Sequence, residues 1–310
     1  MEEKGLQRVA HLARHLSRSG YNSKQEHVRR IESTKPAEWR PCSSVGTANE
    51  FEEILYEKAE GIAKVTINRP ESLNAFTAKT VEELQLAFTD ARDDTEIGVV
   101  ILTGKGSKAF CSGGLVAVRS NSGRVEGVLR EYPKLTILDL QMQIRRLSQP
   151  VIAMVAGYAV GAGNVLQLVC DLTVAADNAV FGCTQTKIGS FDAGYGVSTM
   201  VHMIGARKTR ELCFLARLYD AQEALSMGLV NAVVPLDKLE QETVRWCREI
   251  LSNSSTTIRV LKAAINATEG SSDQQALTSN LSMYFYASDE AEEGRRAFLE
   301  GRRPDFSKFK

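Results

Sequence analysis

The sequence predicts an α/β protein with a helical C-terminal part, and two observations lead to this fold class. Up to about residue 196, short apolar stretches typical of buried strands alternate with stretches of helical spacing. From residue 197 to the end helical patterns dominate, with one strand-like stretch at 229–234. Strands alternating with helices indicate an α/β arrangement, and the helices that follow indicate an added helical region.

The first elements follow directly from the apolar pattern. Residues 53–58 and 62–67 flank Glu60 and Gly61, which predicts a β-hairpin. Apolar residues at helical spacing predict a helix over 78–92. The later predictions are a strand at 99–103, a Gly/Ser-rich loop at 104–127, a helix at 135–147, a strand at 150–155, a helix over 157–169 and a strand at 172–175.

Composition excludes several classes of protein. The chain has 310 residues, of which 43% are apolar, and its 38 basic residues balance 38 acidic ones. Zero net charge argues against a nucleic-acid or anionic-membrane surface, and no apolar run reaches the ~18 residues of a membrane span. The six cysteines lack CxxC spacing, which indicates free thiols. With four histidines in the chain, a histidine-based triad or metal site is not expected.

Residues 1–46 form a basic leader, with nine Lys or Arg against five acidic residues. The leader has no apolar stretch of the secretory type. Arg8, Val9, His15 and Leu16 lie on a short amphipathic pattern and resemble the N-terminal peroxisomal targeting signal, Arg-[Leu/Val/Ile]-x5-His-Leu. The leader therefore predicts import into the peroxisome by its receptor; a chloroplast or mitochondrial transit peptide and a plain basic tail are the alternatives.

Two glycine-containing turns between a strand and a helix are the main candidates for chemistry. They are residues 109–114 (AFCSGG) and 156–163 (AGYAVGAG). Backbone N–H groups at the start of a helix lack intrahelical acceptors, and two such turns together can supply a pair of donors to an oxyanion. Close packing of strand on helix is the alternative explanation for either turn taken alone.

A third candidate segment is the glycine-rich stretch 181–196, which contains Ser190 and Asp192. The stretch combines hydroxyl, carboxylate and phenol side chains, from Ser190, Asp192 and Tyr195. Capping of the following helix is the alternative explanation for Asp192.

Several of these stretches together resemble the crotonase (enoyl-CoA hydratase/isomerase) superfamily over about five-sixths of the chain. The stretches that fit the superfamily are residues 67–76, 109–114 and 150–153. Four further stretches are similar to its 1,4-dihydroxy-2-naphthoyl-CoA synthase branch, in the plant peroxisomal form: residues 138–146 (LDLQMQIRR), 170–179 (CDLTVAADNA), 189–196 (GSFDAGYG) and 303–309 (RPDFSKF).

The resemblance implies a crotonase spiral of ββα repeats at 47–250, and a helical region at 251–310 that covers the active site and the trimer contacts. It implies an acyl-CoA substrate, a homotrimer or hexamer, and no metal or redox cofactor. The implied catalytic residues are Gly114 and Ala162 through their backbone N–H groups, with Ser190, Asp192 and Tyr286. The implied substrate- and CoA-binding residues are Arg69, Ala109, Ser112, Gly113, Leu115, Tyr132, Thr184 and Gln185.

The chain also departs from this family pattern, and the departures concern the base. The two glutamates that add water in hydratases fall at Val165 and Gln185, so hydratase activity is disfavoured. Leu115 replaces the usual aspartate, and Cys183 replaces a glutamine that holds bicarbonate in one branch of the synthases. Bicarbonate as a co-catalyst therefore stays open at this point.

The function implied is ring closure of o-succinylbenzoyl-CoA by an intramolecular Claisen condensation, a carbon–carbon lyase-class reaction of phylloquinone and menaquinone synthesis. Two alternatives stay open. One is another crotonase-fold lyase or isomerase that acts on a CoA thioester. The other is a catalytically impaired paralogue that serves as a subunit of mixed hexamers.

Overall fold

The computed structural model describes residues 35–43, 45, 50–114, 136–189, 194–268, 288–302, 304 and 305. The chain divides into two compact units, Met1–Pro36 and Ala37–Lys310. Only residues 35 and 36 of the first unit are described.

The second unit contains strands that form two sheets. The strands are β1 (Arg40–Pro41), β2 (Ile54–Ala59), β3 (Ile62–Ile67), β4 (Val99–Gly104), β5 (Ala109–Cys111), β6 (Val151–Val155), β7 (Tyr158–Val160), β8 (Leu172–Ala176), β9 (Val180–Gly182), β10 (Leu218–Asp220) and β11 (Ala232–Val234). The helices are α1 (Ala78–Asp93), α2 (Thr136–Arg146), α3 (Ala162–Leu168), α4 (Gly196–Leu215), α5 (Ala221–Ser226), α6 (Leu239–Leu251), α7 (Ser255–Thr268) and α8 (Asp289–Leu299).

The two sheets are built by a repeated ββα turn. The large sheet has the order β1-β2-β3-β4-β6-β8-β11, and it is parallel from β3 onward. The small sheet has the order β10-β9-β7-β5, in which β5, β7 and β9 are parallel. From β4 to β9, each turn places one strand in the large sheet and the next in the small one before its helix. This is the ββα spiral that the resemblance implies, and the predicted α/β fold class is confirmed.

The large sheet is buried on both faces. Alternate side chains of one strand point to opposite faces, so in β4 Val100 and Leu102 pack with α1 and α2 in one core cluster. Val99 and Ile101 pack with Leu239, Val244 and Cys247 of α6 in the other. Parallel strands covered on both faces are near-continuous apolar runs, which is why the sequence predicted β3, β4 and β6 within a residue or two.

Some elements differ from the sequence prediction. The helix predicted over 157–169 is wrong in its first part, because Tyr158–Val160 forms strand β7 and the helix starts at Ala162. Tyr158 is followed by only two more strand residues and then by Gly161, so periodicity gives no signal. Strands β9 and β10 are equally short and were not predicted. Strand β11 covers only Ala232–Val234 of the predicted 229–234.

The beginning of the second unit is tied to its sheet. Arg40 and Pro41 pair antiparallel with Lys58 and Glu57 of β2. The ammonium group of Lys64 lies 4.0 Å from the centre of the Trp39 ring. The unit therefore includes residues that precede position 46, where the predicted leader ends. No helix in the described residues is long and apolar enough to cross a membrane.

Candidate active site

The two glycine turns predicted from the sequence lie against each other. Gly113 has a φ of +97°, which favours glycine, and a Cβ added there would lie 3.3 Å from the backbone N of Ala162. A Cβ added at Gly163 would lie 2.0 Å from the carbonyl oxygen of Cys111. The first turn of the small sheet thus packs directly on the start of helix α3, with no room for a side chain between them.

This contact places the start of α3 next to the turn that contains Gly113. Ala162 is the first residue of α3, and the N–H groups of the first helical turn have no intrahelical acceptor. Gly114 forms an isolated parallel bridge with Phe76, and the N–H of Phe76 donates to the carbonyl of Gly113 at 2.9 Å. Chemically, a pair of backbone donors from two turns is suited to a developing oxyanion.

The first turn is also held on its other side, by residues 72–74. The N–H of Ser112 donates to the carbonyl of Leu73 at 3.1 Å, and its hydroxyl donates to the carbonyl of Ser72 at 3.4 Å. Burial raises the pKa of the Cys111 thiol to about 12, so this side chain is neutral and the N–H of Gly113 lies 3.4 Å from its sulfur. The turn therefore offers backbone groups rather than a thiolate.

Asn74 is a site residue that sequence reasoning did not single out. Its side chain is 1% exposed, and its oxygen accepts the N–H of Arg69 at 3.0 Å. Its amide nitrogen donates to the carbonyls of Lys105 at 3.1 Å and Ala109 at 2.6 Å. Asn74 has a φ of +54°, a conformation that asparagine tolerates better than most residues. This preference was the only signal in the sequence for a special role of Asn74. Its hydrogen-bond partner Ala109, 35 residues away, is visible only in the fold.

We expect Asn74→Ala to destabilise the protein and to slow any turnover. The change leaves buried backbone partners at Arg69, Lys105 and Ala109 unpaired, and each such group costs about 1–3 kcal/mol. The free energy of unfolding should fall by ~3 kcal/mol in urea titrations, within the range of these penalties. Asn253→Ala is the matched control, because the Asn253 amide makes one exposed bond to Glu249. Equal stability of the two variants would contradict the role given to Asn74.

Arg69, predicted to bind CoA, has protein partners in the structure. Its Nε lies 3.3 Å from a carboxylate oxygen of Glu53, and its NH1 group donates to the carbonyl of Ala75 at 2.5 Å. Burial alone would raise the pKa of Glu53, but hydrogen bonds from Thr77 and Thr80 and the charge of Arg69 lower it below the usual value. The guanidinium thus stabilises the turn that carries Asn74, and the predicted contact with CoA stays a prediction.

The third predicted segment lies beside the start of α3. A Cβ added at Gly161 would lie 3.7 Å from the hydroxyl oxygen of Thr184. Thr184 precedes the 3₁₀ turn Gln185–Ile188, and the side-chain oxygen of Gln185 is buried without a hydrogen-bond partner in the described part of the chain. The thiol of Cys183 lies 3.5 Å from the sulfur of Met200.

Position 165, where a hydratase glutamate is implied, is occupied by a core side chain. Val165 is 1% exposed and belongs to the core cluster that includes α1 and α2. Neither Val165 nor Gln185 carries an ionisable group, so neither can act as a general base. The predicted site residues Leu115, Tyr132, Ser190, Asp192 and Tyr286 lie outside the described residues.

Comparison with known proteins decides the family. The model of the enoyl-CoA hydratase/isomerase family matches residues 57–309. This chain belongs to that family. As an enoyl-CoA hydratase/isomerase family member, it is a crotonase-fold CoA-thioester enzyme, and the spiral described above is the fold of its structural relatives.

Solved structures of the same fold include enzymes of different activity. An enoyl-CoA hydratase from Mycobacterium avium subsp. paratuberculosis K-10 is 30% identical, with a TM-score of 0.71, covering 82% of this chain and 98% of its own. One from Bacillus anthracis is 31% identical, with a TM-score of 0.66 and the same coverage. A methylmalonyl-CoA decarboxylase in complex with 2-nitronate-propionyl-CoA is 26% identical, with a TM-score of 0.73, covering 83% and 98%. Family membership therefore leaves the reaction to be argued from the site.

Proposed function

We propose that this chain is a 1,4-dihydroxy-2-naphthoyl-CoA synthase, which closes the second ring of o-succinylbenzoyl-CoA. One observation carries the proposal: the site keeps the contact between the two amide-bearing turns, yet it has a valine and a glutamine where a hydratase needs glutamates. Such a site can stabilise a thioester enolate but lacks the groups that add water to a double bond. Several reactions proceed through such an enolate. The similarity of residues 189–196 and 303–309 to the synthase branch favours ring closure over the others.

In the proposed mechanism, the carbon next to the thioester loses a proton and attacks the carboxyl carbon on the ring. A carbon–carbon bond forms, a carbon–oxygen bond breaks, and water leaves. The backbone N–H groups of Gly114 and Ala162 bind the enolate oxygen, which is the donor arrangement that such charge requires. The methyl group of Ala162 leaves its main-chain donor unchanged.

We assign the proton transfers to Asp192, with Ser190 and Tyr286 contacting the substrate as the family resemblance implies. Positions 165 and 185 carry no ionisable group, so Asp192 is the carboxylate that the resemblance leaves for this chemistry. The remaining proposed contacts to substrate and CoA are those of Arg69, Ala109, Ser112, Gly113, Leu115, Tyr132, Thr184 and Gln185.

The residues present do not fit a bound bicarbonate. An anion needs hydrogen-bond donors or positive charge. Cys183 stands where one branch of the synthases has the glutamine that holds bicarbonate, and it offers only a thiol, a weak donor, which lies 3.5 Å from the Met200 sulfur. We therefore propose that the acyl-CoA substrate is the only small molecule the reaction needs, and that turnover is independent of added bicarbonate.

A second candidate function is decarboxylation of a malonyl-type thioester. Loss of CO₂ forms the enolate without removal of a proton, so the lack of a base at Val165 and Gln185 is compatible with it. This candidate is supported by the methylmalonyl-CoA decarboxylase of the same fold, which suggests methylmalonyl-CoA as the substrate to test.

The test is a panel of three substrates given to the purified protein: o-succinylbenzoyl-CoA, methylmalonyl-CoA and crotonyl-CoA. We expect product from the first alone, at the same rate with and without bicarbonate. Product only from methylmalonyl-CoA would favour the second candidate, and hydration of crotonyl-CoA would contradict both. No product from a folded protein would favour the impaired-paralogue alternative.

We also propose that the chain forms homotrimers or hexamers. Val260, Leu261 and Ile265 of helix α7 are each more than half exposed, and side chains of this kind are candidates for burial against another copy. Light scattering of the full chain measures the assembly directly, and a monomer at micromolar concentration would contradict the proposal.

The leader is proposed to direct import into the peroxisome through its import receptor. A fusion of residues 1–46 to a fluorescent protein should accumulate in peroxisomes, and the Arg8→Ala fusion should stay in the cytosol, because the basic residue is one of the four matched positions. Lys4→Ala, which lies outside those positions, is the control. A wild-type signal in chloroplasts or mitochondria, or spread through the cell, would contradict the peroxisomal assignment.

A further inference from the structure

We propose that Gln141 of α2 and Gly294 of α8 are positioning residues that hold the backbone on either side of residues 190–193, at Gly194 and Tyr195 and at Ile188 and Gly189. The consequence for catalysis rests on the proposed function, which places Ser190 and Asp192 in this segment. The structural part of the inference rests only on described residues on either side of it.

The backbone that follows residues 190–193 is held by Gln141, which is fully buried. Its side-chain oxygen accepts the N–H of Tyr195 at 3.3 Å. A Cβ added at Gly194 would lie 2.2 Å from that same oxygen, so the backbone at Gly194 lies directly against the amide group. Gly194 has a φ of +124°, which also favours glycine. The guanidinium carbon of Arg145, one turn along α2, lies 4.8 Å from the centre of the Tyr195 ring.

The other polar atom of Gln141 shows that simple packing does not account for this residue. Its amide nitrogen is buried and has no hydrogen-bond partner in the described part of the chain. An unpaired buried donor is destabilising, and an apolar side chain of similar size would avoid that cost. A glutamine at this position can accept a hydrogen bond from the N–H of Tyr195, and an apolar residue cannot.

The backbone that precedes residues 190–193 is held by helix α8. A Cβ added at Gly294 would lie 2.2 Å from the carbonyl oxygen of Ile188 and 2.9 Å from the Cα of Gly189. The helix therefore contacts the backbone of the 3₁₀ turn without a side chain between them.

Helix α8 is itself anchored through the residue before Gly294. The side chain of Glu293 is 4% exposed. Its carboxylate oxygens lie 2.7 Å from a guanidinium nitrogen of Arg302 and 3.0 Å from one of Arg296. The carboxylate also accepts the N–H of Asp305 at 2.9 Å. Glu293 thus anchors α8 within the C-terminal region, and the anchored helix contacts the turn through Gly294.

The test compares Gln141→Met with Gln149→Met. Gln149 is a matched control, because it is also a buried glutamine, 2% exposed, but its amide donates to the carbonyls of Ala91 and Arg92 at the end of α1 and of Ile97 beyond it. We expect amide hydrogen exchange in peptides covering residues 189–197 to be about 10-fold faster in Gln141→Met and unchanged in Gln149→Met.

The same two variants are assayed with o-succinylbenzoyl-CoA. In Gln141→Met kcat should fall by about 10–100-fold with KM within about 2-fold, because misplacement of reacting groups by 1 Å costs up to about 10²-fold. Gln149→Met should keep kcat. On the other side of residues 190–193, Gly294→Ala should also lower kcat, because the added Cβ would meet the backbone of Ile188.

Equal exchange rates at residues 189–197 in the two glutamine variants would overturn the positioning role. An equal fall of kcat in both would overturn it as well, because that result would indicate a general loss of stability. If the wild-type protein does not turn over o-succinylbenzoyl-CoA, the proposed function fails while the exchange comparison still decides the structural inference.

Discussion

Gly163→Ala should separate the two turns of the site and lower turnover by about 10²-fold, the size of effect that loss of one oxyanion-hole donor produces. The added Cβ would lie 2.0 Å from the carbonyl oxygen of Cys111 and 2.6 Å from its carbonyl carbon. Both atoms are backbone within the small sheet, so the contact cannot be relieved by rotation of a side chain. Overpacking of this kind also destabilises by about 1–3 kcal/mol, which thermal unfolding measures.

The matched control for this variant is Gly106→Ala, in the loop between β4 and β5. Gly106 has a φ of +84°, and a Cβ added there would have no atom within 4 Å. The control therefore carries the cost of the left-handed conformation, about 1–2 kcal/mol, without a clash. Stability should fall in both variants, but turnover only in Gly163→Ala. Full activity of Gly163→Ala would contradict the requirement for close contact between the turns.

Asp192→Asn should remove turnover with o-succinylbenzoyl-CoA while leaving the assembly intact. Under the proposed function Asp192 is the proton carrier, and general acid–base groups contribute about 10²–10⁴-fold to rates. The amide of asparagine has a similar shape but cannot take up a proton. Positions 165 and 185 carry valine and glutamine, so the site offers no replacement there.

Asp177→Asn is the control for this variant, because the Asp177 side chain accepts the N–H of Leu236 in an exposed turn. The initial rate and the light-scattering mass of both variants are measured against the wild type. An Asp192→Asn enzyme with the wild-type rate would remove Asp192 from the mechanism. A loss of assembly in Asp192→Asn would assign the residue a structural role instead.

The sequence was sufficient for the elements whose pattern is local. Strands such as β4 and β6 are continuous apolar runs because both faces of the parallel sheet are buried. Three-residue strands such as β7 and β9 are too short to show such a pattern. The predicted hairpin is confirmed by β2 and β3, which need only a tight turn at Glu60 and Gly61.

For the site, the sequence indicated the glycine turns but not the contacts that hold them. Gly113 and Gly163 belong to the two glycine turns, but their tight approach to Ala162 and Cys111 appears only in the fold. Asn74 and Gln141 act through partners 35 and 54 residues away. Contacts of this kind depend on tertiary packing, which periodicity and residue type do not encode.

The central claim is tested most directly by the mass of the product formed from o-succinylbenzoyl-CoA without added bicarbonate. The purified full chain is incubated with this substrate, and the CoA thioesters are analysed by mass spectrometry beside an Asp192→Asn sample. We predict a thioester lighter than the substrate by one water, with the absorbance of a naphthoyl-CoA, in the wild-type sample only. Unchanged substrate with the folded wild-type protein, or a product heavier by one water, would contradict the account.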